Sequence, residues 1–139
     1  MAIVQALANT FKEDSMDTTA NLEANTLKVA LFDNTATLSS ATTAYAVANE
    51  VSGSGYTAGG EAMTGMAVTL DGSTAIFDAD NVSWANATIT AQAAVIYNNS
   101  LSNAAIAVLD FGGNKTSTNG TFEIQFPNAN ASTALIRIT

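Results

Sequence analysis

The chain contains no histidine and no cysteine. Without histidine, the most common general base and the most common side-chain ligand of transition metals are both missing. Without cysteine, there is no disulfide and no thiol nucleophile. A nucleophile activated by histidine is therefore excluded, and the sequence indicates no catalytic residue, no cofactor and no metal site.

Charged side chains are scarce as well. They make up 12% of the residues, against roughly a quarter in an average protein. Four basic residues face twelve acidic ones, so the net charge is -8. Nucleic acids and anionic membranes both attract clustered Lys and Arg. The composition therefore disfavours direct binding to either of them, and it fits solubility or a basic protein partner.

With 139 residues, the chain has the length of one domain, which we place over residues 1–139. No apolar run is long enough for a transmembrane helix. The first recognisable pattern lies in residues 2–14, AIVQALANTFKED. Its apolar residues recur at helical spacing: Ile3, Val4, Leu7, Ala8 and Phe11. This spacing predicts an amphipathic N-terminal helix over about residues 2–14.

After residue 26 the apolar pattern changes to a period of two, which is typical of strands. The segments that read as strands are 26–32, 67–79, 87–98, 104–111, 121–126 and 133–139. Asp71-Gly72 predicts a two-residue hairpin turn inside the second of them. The run GGNKTSTNG, residues 112–120, predicts a flexible turn. The sequence thus predicts a mainly β fold, an antiparallel, jelly-roll-like β-sandwich of about seven or eight strands after one helix.

The most glycine-dense stretch is GSGYTAGG, residues 53–60. A phosphate-binding P-loop needs Lys and then Ser or Thr after its last glycine, and a dinucleotide fingerprint needs glycines spaced G-x-G-x-x-G before a helix. Here Glu61 follows, and the glycine spacing is different. We therefore predict a structural turn or an interface element rather than a phosphate site, at these residues: Gly53, Gly55, Tyr56, Gly59 and Gly60. Positions of this kind often require a positive φ.

Two further groups of residues have a functional and a structural interpretation. Asp78, Asp80 and Asn81 are oxygen-bearing residues of the kind that bind Ca²⁺, but the EF-hand spacing fails, and an acidic turn is favoured. The aromatic residues Trp84, Tyr56 and Tyr97 could form a platform for a sugar. Val82 and Trp84 would share one strand face, which favours a core or interface position for Trp84.

Several stretches, taken in order, resemble a family of small structural proteins of tailed bacteriophages. The resemblance covers nearly the whole chain, from the opening AIVQALANTFKED through TLKVALFDNTATL and EVSGSGYTAGGEAMTG to the closing ALIRIT. Its most specific pieces are GYTAGG and the pair VLDFG and FEIQFP. The segment DSMDTTANLEANT, where a more compact linker is expected, departs from that pattern.

The resemblance implies a non-enzymatic virion protein that resides in the host cytoplasm during assembly. Its partners would be the major capsid protein or other virion subunits. The first hypothesis is a capsid decoration or cement protein, and the second is an adaptor of the tail, baseplate or fibre. A carbohydrate-binding module is a more remote alternative, and an enzyme ranks last. Exposed strand edges and a neutral polar surface further predict a homo-oligomer, either a dimer or a trimer.

Overall fold

A computed structural model describes residues 2–139 and gives two antiparallel β-sheets with one short helix. The elements in chain order are β1 (Ala6–Leu7), α1 (Asn9–Met16), β2 (Leu27–Phe32), β3 (Glu61–Ala62), β4 (Ala67–Asp71), β5 (Thr74–Asp78), β6 (Val82–Asn98), β7 (Ala104–Ile124) and β8 (Ile136–Ile138). The predicted mainly β, antiparallel fold with one N-terminal helix is confirmed, and its layout is sandwich-like.

The larger sheet has the strand order β1-β7-β6-β2-β3, and the smaller sheet has the order β4-β5-β8. The long β6–β7 hairpin is the centre of the larger sheet, and β2 pairs with β6 from Leu27↔Asn98 to Phe32↔Ala93. Side chains of both sheets join one apolar core, to which the smaller sheet contributes Phe77 and Ile136. Burial of that shared apolar surface is what holds the two sheets together.

The helix begins later than its sequence pattern predicts. The structure places α1 at Asn9–Met16, whereas the residues before it are extended. The amide of Val4 donates to the carbonyl of Leu38, and β1 pairs with β7. The N-terminal segment therefore completes the edge of the larger sheet, and this backbone pairing outweighs the helical spacing of its side chains.

The predicted turn at residues 112–120 is wrong, because β7 runs without interruption through it. Ala91 pairs with Lys115 and Ala93 with Asp110, so four residues of β7 lie opposite the single residue Gln92. This is a large bulge, and pairing with β6 resumes on both sides of it. The Gly-, Asn- and Thr-rich composition is thus that of a bulged strand rather than of a loop between two strands.

The predicted hairpin of β4 and β5 is present, but its turn is shifted by one residue. Asp71 pairs with Thr74, so the two central residues are Gly72 and Ser73. Gly72 takes a φ of 62°, as the first central position of a type II′ turn requires. Asp71 instead closes the ladder, and its carboxylate accepts a hydrogen bond from the amide of Ala131.

Candidate functional site

The glycine-rich stretch at residues 53–60 belongs to a segment that runs along the edge of β2 opposite β6 and ends in β3. Asn49 and Val51 exchange backbone hydrogen bonds with Asp33 and Leu31 at one end of this segment, and Met63 bonds Leu27 at the other. Between these anchor points the chain leaves β2 and returns to it. The glycines therefore form the part of the segment that loops out and back.

At two of these positions, neighbouring backbone lies so close that only glycine fits. A Cβ on Gly60 would lie 1.7 Å from the carbonyl oxygen of Val29, and the φ of Gly60 is 77°. A Cβ on Gly53 would lie 2.2 Å from the carbonyl oxygen of Thr88. Real Cβ atoms do not approach other atoms this closely, so both positions exclude any side chain. Gly55 is packed in the same way against the backbone at residues 85–87.

The stretch does surround an anion, and that anion is the carboxylate of Glu50. The backbone amide of Gly59 donates to Oε2 of Glu50 at 2.8 Å. The hydroxyl of Tyr45 donates to Oε1 at 2.7 Å, and the hydroxyl of Tyr56 donates to Oε2. A backbone amide that a phosphate would need is thus already used by the protein's own carboxylate.

Tyr97 extends this arrangement, so all three tyrosines of the chain take part. The Tyr97 hydroxyl donates to the carbonyl of Gly59 at 2.6 Å. Its ring stacks on that of Tyr45, with the centroids 4.6 Å apart. The Tyr56 hydroxyl also accepts the amide hydrogen of Leu31 at 2.9 Å. We call the five residues that make these contacts the tyrosine cluster: Tyr45, Glu50, Tyr56, Gly59 and Tyr97.

The environment of the cluster keeps its phenols protonated. Burial raises the pKa of Tyr45 and of Tyr56 above the ordinary 10.0, and the hydrogen bond to Glu50 raises both further. Burial also raises the pKa of Tyr97, followed by the negative charge of Glu50. A phenol with a raised pKa is a poor proton donor to a substrate at neutral pH. The cluster is therefore suited to holding the loop against the sheet.

Sequence reasoning found Tyr56 and Gly59 but missed Tyr45 and Glu50 as their partners. An available signal was Glu50 itself, a carboxylate just before a turn-forming stretch, where backbone amides often donate hydrogen bonds to such a group. The contact between Tyr45 and Tyr97 has no signal in the sequence, because the two residues are separated by 52 positions and meet only in the folded chain.

Trp84 lies in the core, which confirms the interpretation that its strand pattern favoured. Its side chain is 1% exposed, as is that of Tyr97. It packs edge-on against Phe122 and at a tilt against Tyr56. Rings enclosed in this way do not offer a face to a sugar. Within residues 2–139, the Trp84 Nε1 atom is the buried side-chain nitrogen or oxygen that has no hydrogen-bond partner.

Two residues of the Asp78, Asp80 and Asn81 group bond to separate parts of the chain. Asn81 accepts the amide of Phe126, and the carboxylate of Asp80 accepts the hydroxyl of Thr64. Across the described part of the chain, no group of three or more acidic residues is arranged to hold a metal ion. These contacts fasten the turn between β5 and β6 to its neighbours.

A separate concavity of about 530 Å³ lies over the outer part of β7. Its lining includes Phe111, Phe122, Lys115 and Glu123, with threonine and serine between them. None of the glycine-rich residues contributes to it. The concavity and the tyrosine cluster are thus different places on the molecule, and only the cluster brings polar side chains together in a fixed network.

Comparison with protein-family models, with curated proteins and with solved structures gives no match to this chain. None of the helices that the structure describes has the length and apolar character needed to cross a membrane.

Proposed function

We propose that this chain is a non-enzymatic structural subunit of a tailed-phage particle, and that it decorates the capsid. The observation that carries the proposal is the tyrosine cluster. In this cluster each carboxylate oxygen of Glu50 already has a donor from the chain itself. Such a network fixes the shape of a surface loop rather than acting on a substrate.

The surface around the cluster suits a subunit that works through shape. The glycine-rich loop is held to β2 at both ends, and its two tightest glycines touch backbone. Loops that are ordered before binding lose little conformational entropy when they contact a partner. A decoration protein at junctions between capsid subunits would gain from a preformed loop of this kind, because each copy adds burial between neighbours in the shell.

The acidic character supports a partner with a basic surface. With a net charge of -8, the chain would be attracted to positively charged patches of a capsid protein and repelled by packaged nucleic acid. Binding only to the assembled shell would stabilise that shell by mass action. Individual contacts of modest area would suffice, because the chain would be present in many copies.

The test is the position and number of copies of this chain in an averaged map of the intact particle, supported by quantitative mass spectrometry. Hundreds of copies over capsid junctions would support the decoration role. About a dozen copies or fewer at the tail would overturn it in favour of the second candidate, a tail, baseplate or fibre adaptor. Absence from the particle would contradict both.

A binding experiment provides an independent arm. Purified chain is mixed with mature shells from which it has been stripped, and the shells are then pelleted. Saturable binding that raises the temperature of shell rupture supports decoration. As a matched control, Lys115→Glu makes the concavity over β7 more acidic while leaving the cluster intact. Failure of the natural chain to bind stripped shells counts against the decoration role.

A further inference from the structure

The edge strands of the two sheets differ in how well they are protected from pairing with another chain. The larger sheet ends in β1 and β3, which have two residues each. The smaller sheet ends in β8, which has three residues including Arg137, and in β4, which has five. Short or charged edges discourage pairing between chains. β4 is the longest of these edges, and it has neither a Lys nor a Pro.

The neighbourhood of β4 is also uncharged and apolar. No charged residue occurs from Ala62 to Leu70, and the only charge in the strand, Asp71, is engaged by the amide of Ala131. Leu70 is 75% exposed and Val68 is 43% exposed. Exposed apolar side chains on an unprotected edge strand mark an interaction site rather than an ordinary surface.

The pairing within the hairpin shows which backbone groups of β4 are free. Asp71 and Thr74 close a two-residue turn, so Asp71 and Thr69 exchange hydrogen bonds with β5. In antiparallel pairs, the residues between them direct their N–H and C=O groups away from the partner strand. The free groups of β4 are therefore those of Val68 and Leu70, the same residues that carry the exposed side chains.

Val68 and Leu70 lie on the face of the smaller sheet that meets the core. They are directly opposite Phe77 and Ala75, and these in turn are opposite Ile136 and Ile138 of β8. Phe77 and Ile136 are buried in the core. The apolar row of Leu70, Ala75 and Ile138 continues that face beyond the core and ends at the β4 edge.

We propose that β4 is the contact between two copies of this chain, which pair antiparallel about Thr69. In this register, Val68 of one copy is opposite Leu70 of the other, and Asp71 is opposite Ala67. The free N–H and C=O groups of Val68 and Leu70 then bond each other in both directions. The apolar row crosses the junction without interruption, and no like charges face each other.

The strand is self-complementary, and this identifies the occupant as a second copy. A two-fold axis through Thr69 makes the contact isologous, so the assembly closes as a dimer with a six-stranded sheet. A charged partner would find only one charge in this strand, that of Asp71, which already accepts a hydrogen bond from the amide of Ala131. Interfaces below about 1,200 Å² belong to the weak class, so we expect a dissociation constant in roughly the micromolar range. The inference does not depend on the proposed role in a phage particle.

Sedimentation equilibrium of the full chain tests the proposal. The natural chain should dimerise, and raising NaCl should tighten the dimer, because salt screens repulsion between two copies that each carry a net charge of -8. Val68→Pro removes a free N–H, and Leu70→Lys protects the edge. Each should raise the dissociation constant at least tenfold.

The matched control is Ile138→Lys, on the same apolar row but at the opposite edge of the sheet. It makes the same change in charge as Leu70→Lys, and it should leave the dissociation constant within about twofold. Leu70→Lys alters an exposed side chain, so it tests the interface even where Val68→Pro destabilises the hairpin.

Hydrogen exchange gives a reading at single residues. The amides of Val68 and Leu70 should become protected as the protein concentration rises, whereas that of Thr69, already bonded within the hairpin, should not change. The proposal is overturned by a chain that stays monomeric to millimolar concentration. It is equally overturned by a dimer in which the amides of Val68 and Leu70 exchange freely, or by one that Ile138→Lys disrupts and Leu70→Lys does not.

Discussion

The hydroxyl of Tyr97 donates to the carbonyl of Gly59 at 2.6 Å and joins the C-terminal end of β6 to the glycine-rich loop. The amide of the same Gly59 donates to Glu50. Both backbone groups of one glycine are thus used by side chains outside the loop, one nine residues and one 38 residues away in the sequence. The loop is fixed by these polar contacts as well as by its own turn geometry, and its stability should depend on residues outside it.

Replacing Glu50 with alanine should destabilise the fold. The change removes the acceptor of the Tyr45 and Tyr56 hydroxyls and of the Gly59 amide. Hydrogen bonds to a charged group contribute about 1.5–3 kcal/mol each, and partial hydration of the exposed groups reduces the total, so we expect a loss of about 2–4 kcal/mol in the free energy of unfolding. Urea denaturation followed by circular dichroism measures it.

The matched control for this prediction is Glu61→Ala, which removes an exposed carboxylate from the other end of the same loop. It should change the free energy of unfolding by less than about 0.5 kcal/mol. Glu50→Gln, which keeps an acceptor oxygen, should be intermediate. Equal effects of Glu50→Ala and Glu61→Ala would show that the cluster does not stabilise the loop.

Replacing Gly60 with alanine should be among the most damaging single changes in the loop. The new Cβ would lie 1.7 Å from the carbonyl oxygen of Val29, at a φ of 77°. Relief requires β2 or the loop to move, so we expect a loss of more than about 3 kcal/mol or failure to fold. Gly113→Ala is the control, because its Cβ meets no atom within 4 Å. Thermal melting of the two variants should separate them clearly.

The raised tyrosine pKa values predict a fold that weakens at alkaline pH. The pKa of each phenol of the cluster is raised in the folded chain, first by burial and then by Glu50. Below pH 10 the folded and unfolded chains hold the same tyrosine protons, so this contribution to stability is fully present. Above pH 10 the unfolded chain releases them and the folded chain does not, so the free energy of unfolding falls as pH rises.

Urea denaturation between pH 8 and about pH 11.5 measures this dependence, and absorbance near 295 nm reports tyrosinate. The absorbance change should coincide with unfolding rather than precede it. Tyr56→Phe should make the fall in stability less steep, because it removes one of the groups that titrate only on unfolding. A natural chain whose tyrosines ionise while it remains folded would contradict the prediction.

The strands with clean alternation could be predicted from the sequence because their pattern is local. The first part of β6 and the end of β7 follow it, as the buried residues Ile89, Ala91, Phe122 and Ile124 illustrate, whereas β2 and the end of β6 are buried on both faces. The extent of β7 could not be predicted, since the run 112–120 has loop composition. Gly112 lies in the bulge, and Lys115, Thr116 and Ser117 become part of the strand through pairing with β6. The start of α1 depends in the same way on pairing between β1 and β7. In both cases, hydrogen bonds between strands that are distant in sequence determine where the element begins or ends.

The tyrosine cluster was predictable only in part for a related reason. Positive φ values and close packing belong to the glycines themselves, so Gly59 and Gly60 could be identified as structural from their density in the sequence. Their partners come from separate segments. Periodicity gives the strand on which Tyr97 lies but not the carbonyl that its hydroxyl reaches, and this information exists only in the packing of β6 against the loop.

Replacing Trp84 with phenylalanine should cost much less than the size of the change suggests. Its Nε1 atom is buried without a hydrogen-bond partner, and an unsatisfied buried donor costs roughly 1–3 kcal/mol. Phenylalanine removes that penalty, keeps a ring against Phe122, and leaves a small void. The two effects oppose each other, so we expect a change within about 1 kcal/mol in the free energy of unfolding.

Trp84→Ala is the comparison that separates the ring from the indole nitrogen, because it removes both, whereas Trp84→Phe removes the nitrogen and keeps a ring. A large aromatic-to-alanine change in a core costs about 3–5 kcal/mol. Denaturation is followed by far-ultraviolet circular dichroism, since Trp84 is the only tryptophan and its fluorescence is lost in both variants. If both variants lose a similar amount of unfolding free energy, the indole N–H stabilises the core. If Trp84→Phe loses little and Trp84→Ala loses much, the contribution of Trp84 comes from its ring.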